Sequence, residues 1–360
     1  MSNQPPIGVP QGAIRLNTDS QKLEFFAQDR WYEMATDFPY LGKSTNSDIT
    51  GGARGICGGM TPDASTAVTA LDFITIPTAG AAQDFGNLSV ARIGLQAYSS
   101  RTRGVFAGGL NKNEIDFVEI ATTGTAIDFG NAQANRAYSK GLSNQTRGIS
   151  GGGYPGTDQI DYITIASQGD AQDFGNLSSR FNTDTNNIGG GPAGAASPTR
   201  GVFSGGYINP GTLQSLNTLQ YITIATTGDT QDFGDLTVSA RAHSGQACSS
   251  TRSVVASGYN QPTNGNYYTV ESTEYYTFAT LGNAVSFGDM LATSGISPGG
   301  TSNSVRGVWM GGGDLALSPS YGTNVIQYVN IPTLGDTIDF GDMVTTGGWC
   351  DACSNGHGGL

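Results

Sequence analysis

The chain has 360 residues, a formal net charge of −12 and 13% charged residues. Because an acidic chain with few cations repels phosphate backbones, we do not expect nucleic-acid binding. Its longest apolar runs are too short to span a membrane and its N-terminus lacks an export-signal pattern, so we expect neither membrane insertion nor secretion. The 54 glycines are about twice the roughly 7% usual in globular proteins, which indicates many tight turns.

Residues 12–34, GAIRLNTDSQKLEFFAQDRWYEM, predict three short strands joined by an Asn-Thr-Asp-Ser turn and a Gln-Asp turn. The residues that carry a family resemblance here are Gly12, Ile14, Arg15, Asn17, Lys22, Leu23, Glu24 and Trp31. Through them the segment resembles the β-meanders near the N-termini of bacteriophage tail-fibre and other virion appendage proteins. The resemblance implies that residues 1–50, including a polar linker at Lys43–Thr50, attach the chain to a particle.

Three strands this short cannot bury a hydrophobic core by themselves. We therefore expect the apolar side chains of this segment to form an assembly interface: Leu23, Phe25, Phe26 and Trp31. The surface they meet belongs to a virion protein, to the rest of the chain or to a second copy in a homo-oligomer.

Residues 51–360 contain a sixfold internal repeat. Each copy opens with an arginine, at Arg54, Arg103, Arg147, Arg200, Arg252 and Arg306. An alternating apolar run follows and then an Asp-Phe-Gly or Ser-Phe-Gly triplet, whose phenylalanines are Phe85, Phe129, Phe174, Phe233, Phe287 and Phe340. Together with the segment before its arginine, each copy predicts four strands, and six such units at this spacing predict a six-bladed β-propeller.

The repeat also carries a double glycine after the arginine strand and an aromatic residue in the next strand. These aromatics are Phe73, Phe117, Tyr162, Tyr221, Tyr276 and Tyr328. The pattern resembles kelch repeats, with the phenylalanine of the triplet at a position where kelch repeats usually have tryptophan. The resemblance implies an all-β, six-bladed kelch-like β-propeller that follows the short β-meander.

Arginines recur at a second position, at Arg92, Arg136, Arg180 and Arg241. Regular recurrence indicates a structural role. We expect both sets of arginines to pair with the recurrent carboxylates Asp84, Asp128, Asp173, Asp232 and Asp339.

The loops after the double glycines vary in length and contain tyrosines. We expect six of these to be exposed on one rim as ligand-binding residues: Tyr154, Tyr207, Tyr259, Tyr267, Tyr268 and Tyr321. Exposed tyrosines on rigid loops suit stacking against sugars or contact with a protein. The alternative for each tyrosine is that it only caps the edge of a blade.

Catalytic and metal-binding patterns are weak in this sequence. The two histidines, His243 and His357, are too few for a copper site, and we expect His243 to be exposed or hydrogen-bonded. Cys350 and Cys353, with His357 nearby, could form half of a zinc site, but a fourth ligand is missing, so buried free thiols are the preferred interpretation. There is no phosphate-binding loop or nucleophile elbow. We expect no cofactor, no metal and no enzymatic activity.

These patterns favour a non-enzymatic structural protein of a phage virion, made in the host cytoplasm. Residues 1–50 would anchor it to other virion proteins, and the propeller would be displayed to recognise a host-surface glycan or protein. The alternatives are a free-standing lectin-like propeller and a capsid decoration protein.

The two ends of the repeat region predict how it closes. The first copy has no strand before Arg54 like those before the later arginines, whereas Trp349–Asn355 resembles such a strand. We therefore expect this C-terminal segment to pair with Arg54–Gly58 and complete the first blade.

Overall fold

The computed structural model describes residues 8–17, 22–28, 30–33, 54–63, 65–178, 191–208, 214–238, 240–263, 266–291, 297–313 and 322–360. The chain divides into two compact units, residues 1–49 and residues 50–360. Every regular element within these described ranges is a β-strand, so the fold is all-β. Among the same residues there is no helix long and apolar enough to cross a membrane.

The small unit contains a three-stranded antiparallel sheet of β1 (Ile14–Asn17), β2 (Lys22–Ala27) and β3 (Arg30–Glu33), in that order. The prediction of three short strands is confirmed. Side chains alternate between the two faces, so Phe25 lies on one face and its neighbour Phe26 on the other. Phe26 is buried and its ring lies 5.3 Å from that of Trp31, over which the guanidinium of Arg15 lies at 4.2 Å.

The large unit is built from short strands in all its described parts. In chain order they are β4 (Arg54–Gly58), β5 (Val68–Thr75), β6 (Gln83–Arg92), β7 (Gln96–Ser99), β8 (Arg103–Ala107), β9 (Glu114–Glu119), β10 (Ile127–Asn131), β11 (Gly141–Ser143), β12 (Arg147–Gly151), β13 (Gln159–Thr164), β14 (Gln172–Asn176), β15 (Ala193–Ala196), β16 (Arg200–Ser204), β17 (Tyr207–Ile208), β18 (Gln214–Ser215), β19 (Thr218–Thr223), β20 (Gln231–Asp235), β21 (Gly245–Cys248), β22 (Arg252–Ala256), β23 (Tyr259–Thr263), β24 (Asn266–Thr269), β25 (Ser272–Thr277), β26 (Val285–Asp289), β27 (Gly299–Ser302), β28 (Arg306–Met310), β29 (Val325–Asn330), β30 (Ile338–Asp342) and β31 (Asp351–Ser354).

These strands form six four-stranded antiparallel sheets in the described part of the unit. Their orders are β31-β4-β5-β6 for the first sheet, then β7-β8-β9-β10, β11-β12-β13-β14, β15-β16-β19-β20, β21-β22-β25-β26 and β27-β28-β29-β30. The strand named first is the leading strand of its sheet, and the strand named last is its outer strand. Two hairpins, β17-β18 and β23-β24, are inserted after the second strands of the fourth and fifth sheets.

The C-terminal strand completes the first sheet, as the sequence predicts. β31 pairs with β4 in antiparallel register, with Asp351 opposite Gly58 and Ser354 opposite Gly55. This prediction is confirmed. Leading strands of consecutive sheets contact one another, and β27 of the sixth sheet contacts β31 of the first. Apolar residues fill the space between sheets, where Phe85 of the first sheet joins Phe106 of the second in one core cluster.

A turn of each following sheet covers the outer strand of the sheet before it. The amide of Gly124 donates to the carbonyl oxygen of Phe85 at 2.8 Å, and that of Ala126 donates to Asn87 at 2.7 Å. Equivalent bonds join all six sheets in sequence, and the amide of Gly80 in the first sheet donates to Phe340 in the sixth at 2.7 Å. These bonds use polar groups that an open sheet edge would leave free for pairing with another chain.

The glycine of the Asp-Phe-Gly triplet is required by this contact. Gly86 has a φ of +142°, and a Cβ there would lie 2.1 Å from the carbonyl oxygen of Gly124. A backbone atom cannot yield as a flexible side chain can, so a larger residue must separate the two sheets.

We expect Gly86→Ala to lower the free energy of unfolding by about 3 kcal/mol, because it combines backbone strain with overpacking. Gly124→Ala is the matched control: a Cβ at Gly124 meets nothing within 4 Å. It should change stability by no more than about 0.5 kcal/mol. Urea-induced unfolding of both variants measures the difference, and equal stabilities would contradict the role assigned to Gly86.

The first set of arginines stacks on aromatic rings and does not pair with the expected aspartates. In every sheet the guanidinium lies 4.2–4.9 Å from the centroid of an aromatic ring on the third strand. It also donates to a carbonyl oxygen of the next sheet, as Arg103 does to Ile165 at 3.2 Å. In the fifth sheet the stacked ring is Tyr275, so the assignment of Tyr276 to this position was wrong by one residue.

The second set of arginines forms buried ion pairs, but not with the expected carboxylates. Arg92 pairs with Asp116 at 2.7 Å, Arg241 pairs with Glu274 at 2.6 Å, and Arg136 pairs with Asp161. Arg180 lies outside the described residues. The prediction of Asp84 and its equivalents as partners was wrong, because Asp84 is exposed and accepts a bond from the amide of Gly86 instead.

Candidate functional site

The predicted ligand-binding tyrosines differ in exposure. Tyr268 is 59% exposed, as expected, whereas Tyr154 is half-buried. Tyr207 and Tyr259 are each only 7% exposed, so the expectation that they are exposed was wrong. Tyr267 lies in β24, but its side chain and all of Tyr321 fall outside the described residues.

The buried tyrosines pack around a histidine. The ring of His243 lies 5.4 Å from Tyr207, 5.4 Å from Tyr259 and 4.9 Å from Trp349. Tyr138 extends the group, with its ring 4.8 Å from Trp349, 5.9 Å from His243 and 6.2 Å from Tyr154. We call these six residues, Tyr138, Tyr154, Tyr207, His243, Tyr259 and Trp349, the aromatic cluster.

Three members of the cluster occupy one repeated position, just before the leading strand of a sheet. Tyr138, His243 and Trp349 precede β11, β21 and β31 and have φ values of 66°, 54° and 59°. Gly94 and Ser297 hold this position in the second and sixth sheets, with φ values of 67° and 51°. Large rings thus come from the first, third and fifth sheets and small residues from the second and sixth, which leaves room for the three rings to meet.

The other three tyrosines of the cluster, Tyr154, Tyr207 and Tyr259, come from segments that follow the second strands. Tyr259 forms an isolated bridge with Ala242, and Tyr154 forms one with Ala137. Tyr259 therefore lies beside the residue that precedes His243, and Tyr154 lies beside the residue that precedes Tyr138. Tyr207 begins the β17-β18 hairpin, so the loops expected from sequence are in part ordered strands.

The cluster is electrically neutral. Burial lowers the pKa of His243 to about 3, with Lys140 contributing in the same direction, so the imidazole is uncharged at neutral pH. The ring is hydrogen-bonded to the backbone of Tyr138, whereas its Nδ1 atom has no hydrogen-bond partner among the described residues. The ammonium group of Lys140 donates to the carbonyl oxygen of Cys350 and lies 3.9 Å from a carboxylate oxygen of Asp351.

A small cavity of about 40 Å³ lies among the leading strands, toward their C-terminal ends. The C-terminal tail closes it. Nε2 of His357 lies 3.2 Å from the carbonyl oxygen of Ser99, and the amide of Gly359 donates to Nδ1 at 3.1 Å. The imidazole is therefore the neutral tautomer with its proton on Nε2, and burial lowers its pKa to about 4.

We expect acid to destabilise the chain through this histidine. The unfolded state takes up a proton near pH 6.5, whereas folded His357 does so only near pH 4, so its contribution to stability is lost as pH falls between these values. At pH 5 the loss is about 2 kcal/mol. His357→Gln keeps a donor but cannot titrate, and urea unfolding at pH 7 and pH 5 should show a smaller decrease than in the unmodified chain. An identical decrease in both proteins would contradict the assignment.

The cysteines provide no metal site in the described residues. All four are free and buried, and no group of three or more His, Cys, Asp or Glu side chains in the described ranges could hold an ion. The thiol of Cys350 donates to the carbonyl oxygen of Met310 at 3.3 Å.

The predicted assembly residues do not share one surface. Phe26 and Trp31 pack together on one face of the small sheet, while Phe25, 36% exposed, lies on the other. Phe25 stands directly opposite both Ile14, 62% exposed, and Tyr32, giving an apolar row across all three strands. The strand of Leu23 is described, but its side chain is not.

Sequence reasoning missed Tyr138 and Trp349 and dismissed His243. A signal was present, because Arg-Ala-Tyr-Ser at 136–139 and Arg-Ala-His-Ser at 241–244 align when the repeats are superposed on their second arginine. Neither a protein-family model nor a curated protein sequence matches this chain.

Proposed function

We propose that residues 51–360 form a six-bladed kelch-like β-propeller. The support is a closed succession of contacts: six sheets of the same order, each bonded to the next through the turn at its outer strand, with the sixth bonded to the first. The first-set arginine of each sheet also donates to a carbonyl oxygen of the next sheet. Arg306 of the sixth sheet donates to the carbonyl oxygen of Ile76 in the first at 3.1 Å.

We further propose that the chain is a non-enzymatic structural protein of a phage virion. Its small unit attaches to another virion protein, and the propeller is displayed to recognise a host surface. The observation that carries this proposal is the exposed row of Ile14, Phe25 and Tyr32, on a segment that resembles tail-fibre N-termini. An apolar row on so small a sheet suits burial against a partner.

The full-length double variant Ile14→Thr, Phe25→Ser tests the attachment role. Because both side chains are exposed, the melting temperature should be nearly unchanged, while the variant should be missing from purified particles. Ile127→Thr is the matched control, since Ile127 is 59% exposed on the large unit, and this variant should be incorporated normally. Particles that contain the double variant in normal amounts would refute the attachment role and favour a free-standing lectin.

A further inference from the structure

We infer that the aromatic cluster binds an uncharged hexopyranose unit of a surface glycan, stacked on Trp349 and Tyr138. This inference deepens the proposed recognition function and rests on it. It places the ligand at a site that includes only some of the tyrosines expected from sequence and adds Tyr138, His243 and Trp349.

The rings of the cluster fall into two groups that differ in exposure. Tyr138, Tyr154 and Trp349 are half-buried and present part of their rings to solvent, whereas Tyr207, His243 and Tyr259 are buried against them. The carbon-bound hydrogens of a pyranose ring form apolar faces that stack on such aromatic surfaces. Aromatic side chains held in place before binding lose little conformational entropy when a ligand arrives.

Unused polar atoms lie within or beside the cluster. Nδ1 of His243 and the hydroxyl oxygens of Ser139 and Ser244 are buried without a hydrogen-bond partner among the described residues. His243 is 3% exposed, so its orphaned nitrogen is shielded from bulk solvent. Buried polar atoms normally have a partner, and a ligand hydroxyl or a water held by the ligand would supply one.

The charge distribution favours an uncharged sugar. The cations near the cluster in the described ranges already face carboxylates: Lys140 faces Asp351, Arg136 pairs with Asp161 and Arg241 pairs with Glu274. The chain as a whole carries a net charge of −12, so a sialic acid or phosphorylated sugar would be repelled.

The size of the cluster favours a sugar over a protein. Three half-exposed rings match one or two sugar units, whereas a stable protein interface needs about 20 to 30 residues on each side. The cluster therefore suits a glycan better than a protein, and the experiment distinguishes the two.

The test titrates the purified full-length chain with methyl α-glucopyranoside, methyl α-galactopyranoside and methyl α-mannopyranoside, with N-acetylneuraminic acid as the charged comparison. Saturation-transfer NMR and calorimetry should detect saturable binding of at least one neutral hexoside and none of the acid. Trp349→Ala and Tyr138→Ala should each weaken binding by about tenfold, as expected for one aromatic contact. Tyr268→Ala, an exposed tyrosine that is not part of the cluster, should bind like the unmodified chain.

Absence of binding to all three hexosides, or binding that neither cluster variant weakens, would overturn the inference. Trp349→Phe guards against misfolding, because it keeps a ring and should retain most of the affinity. Particles carrying Trp349→Ala separate this inference from the virion role, since they should assemble normally. If such particles lose host adsorption while the chain binds no hexoside, the ligand is a protein and the glycan assignment is wrong.

Discussion

Removing residues 348–360 is expected to prevent the large unit from folding. The truncation deletes β31, and with it the whole pairing between the two ends of the repeat region. It also removes Asp351, whose carboxylate accepts bonds from the amides of Ala97 at 2.8 Å and Gly141 at 3.1 Å. Lys140 would then be buried without its counter-ion, a large penalty in addition to the lost strand.

The combined cost should exceed about 5 kcal/mol, which is comparable to the whole stability of many domains. The truncated chain should be insoluble or lack a cooperative thermal transition. β31 pairs with β4 through non-covalent bonds. A synthetic peptide of residues 346–360 should therefore restore folding when it is added during refolding.

The same peptide carrying Asp351→Ala is the matched control and should restore much less. Burial raises the pKa of Asp351 whereas the nearby Lys140 lowers it, so the two groups depend on each other in the folded chain. A truncated chain that melts at the temperature of the full chain would show that closure by β31 is unimportant.

Breaking a buried ion pair is expected to have the second largest effect. Asp116 on β9 faces Arg92, and the two side chains are 1% and 0% exposed. Asp116 also accepts bonds from the amide and hydroxyl of Ser89. Asp116→Ala should lower the free energy of unfolding by about 3 to 5 kcal/mol, because it leaves a buried guanidinium without its carboxylate.

The same strand offers a matched control. Glu119 pairs with Arg103 at 3.2 Å, but these side chains are 49% and 26% exposed. Glu119→Ala should therefore change stability by less than about 1 kcal/mol. Urea denaturation of both variants measures the contrast. Similar losses from the two substitutions would mean that burial does not determine the strength of the Arg92 pair.

Most of the strand pattern could be predicted because it is local and repeated. Alternating apolar residues, the turn glycines and the Asp-Phe-Gly or Ser-Phe-Gly triplet recur in every copy, and the four strands of each sheet follow from them. The completion of the first sheet by residues 351–354 was also predictable, because the missing strand and the surplus strand resemble each other.

The carboxylate partners of the arginines were predicted less well, because a small shift in strand register changes which carboxylate is buried. A shift in register between β5 and β6 leaves Asp84 at an exposed bulge. Asp116 instead lies in a strand centre that packs over Arg92. Composition and spacing do not distinguish these two environments.

The sequence by itself therefore determined the strands, their grouping by four and the pairing of the chain ends, since these depend on alternation and repeated turns. Only the tertiary structure decided which aromatic side chains form a site. Tyr138, His243 and Trp349 are about a hundred residues apart in succession, and they meet because three separate sheets each place a left-handed residue before the leading strand. Contacts between such distant residues depend on how the sheets pack, which an alignment of the repeats does not specify.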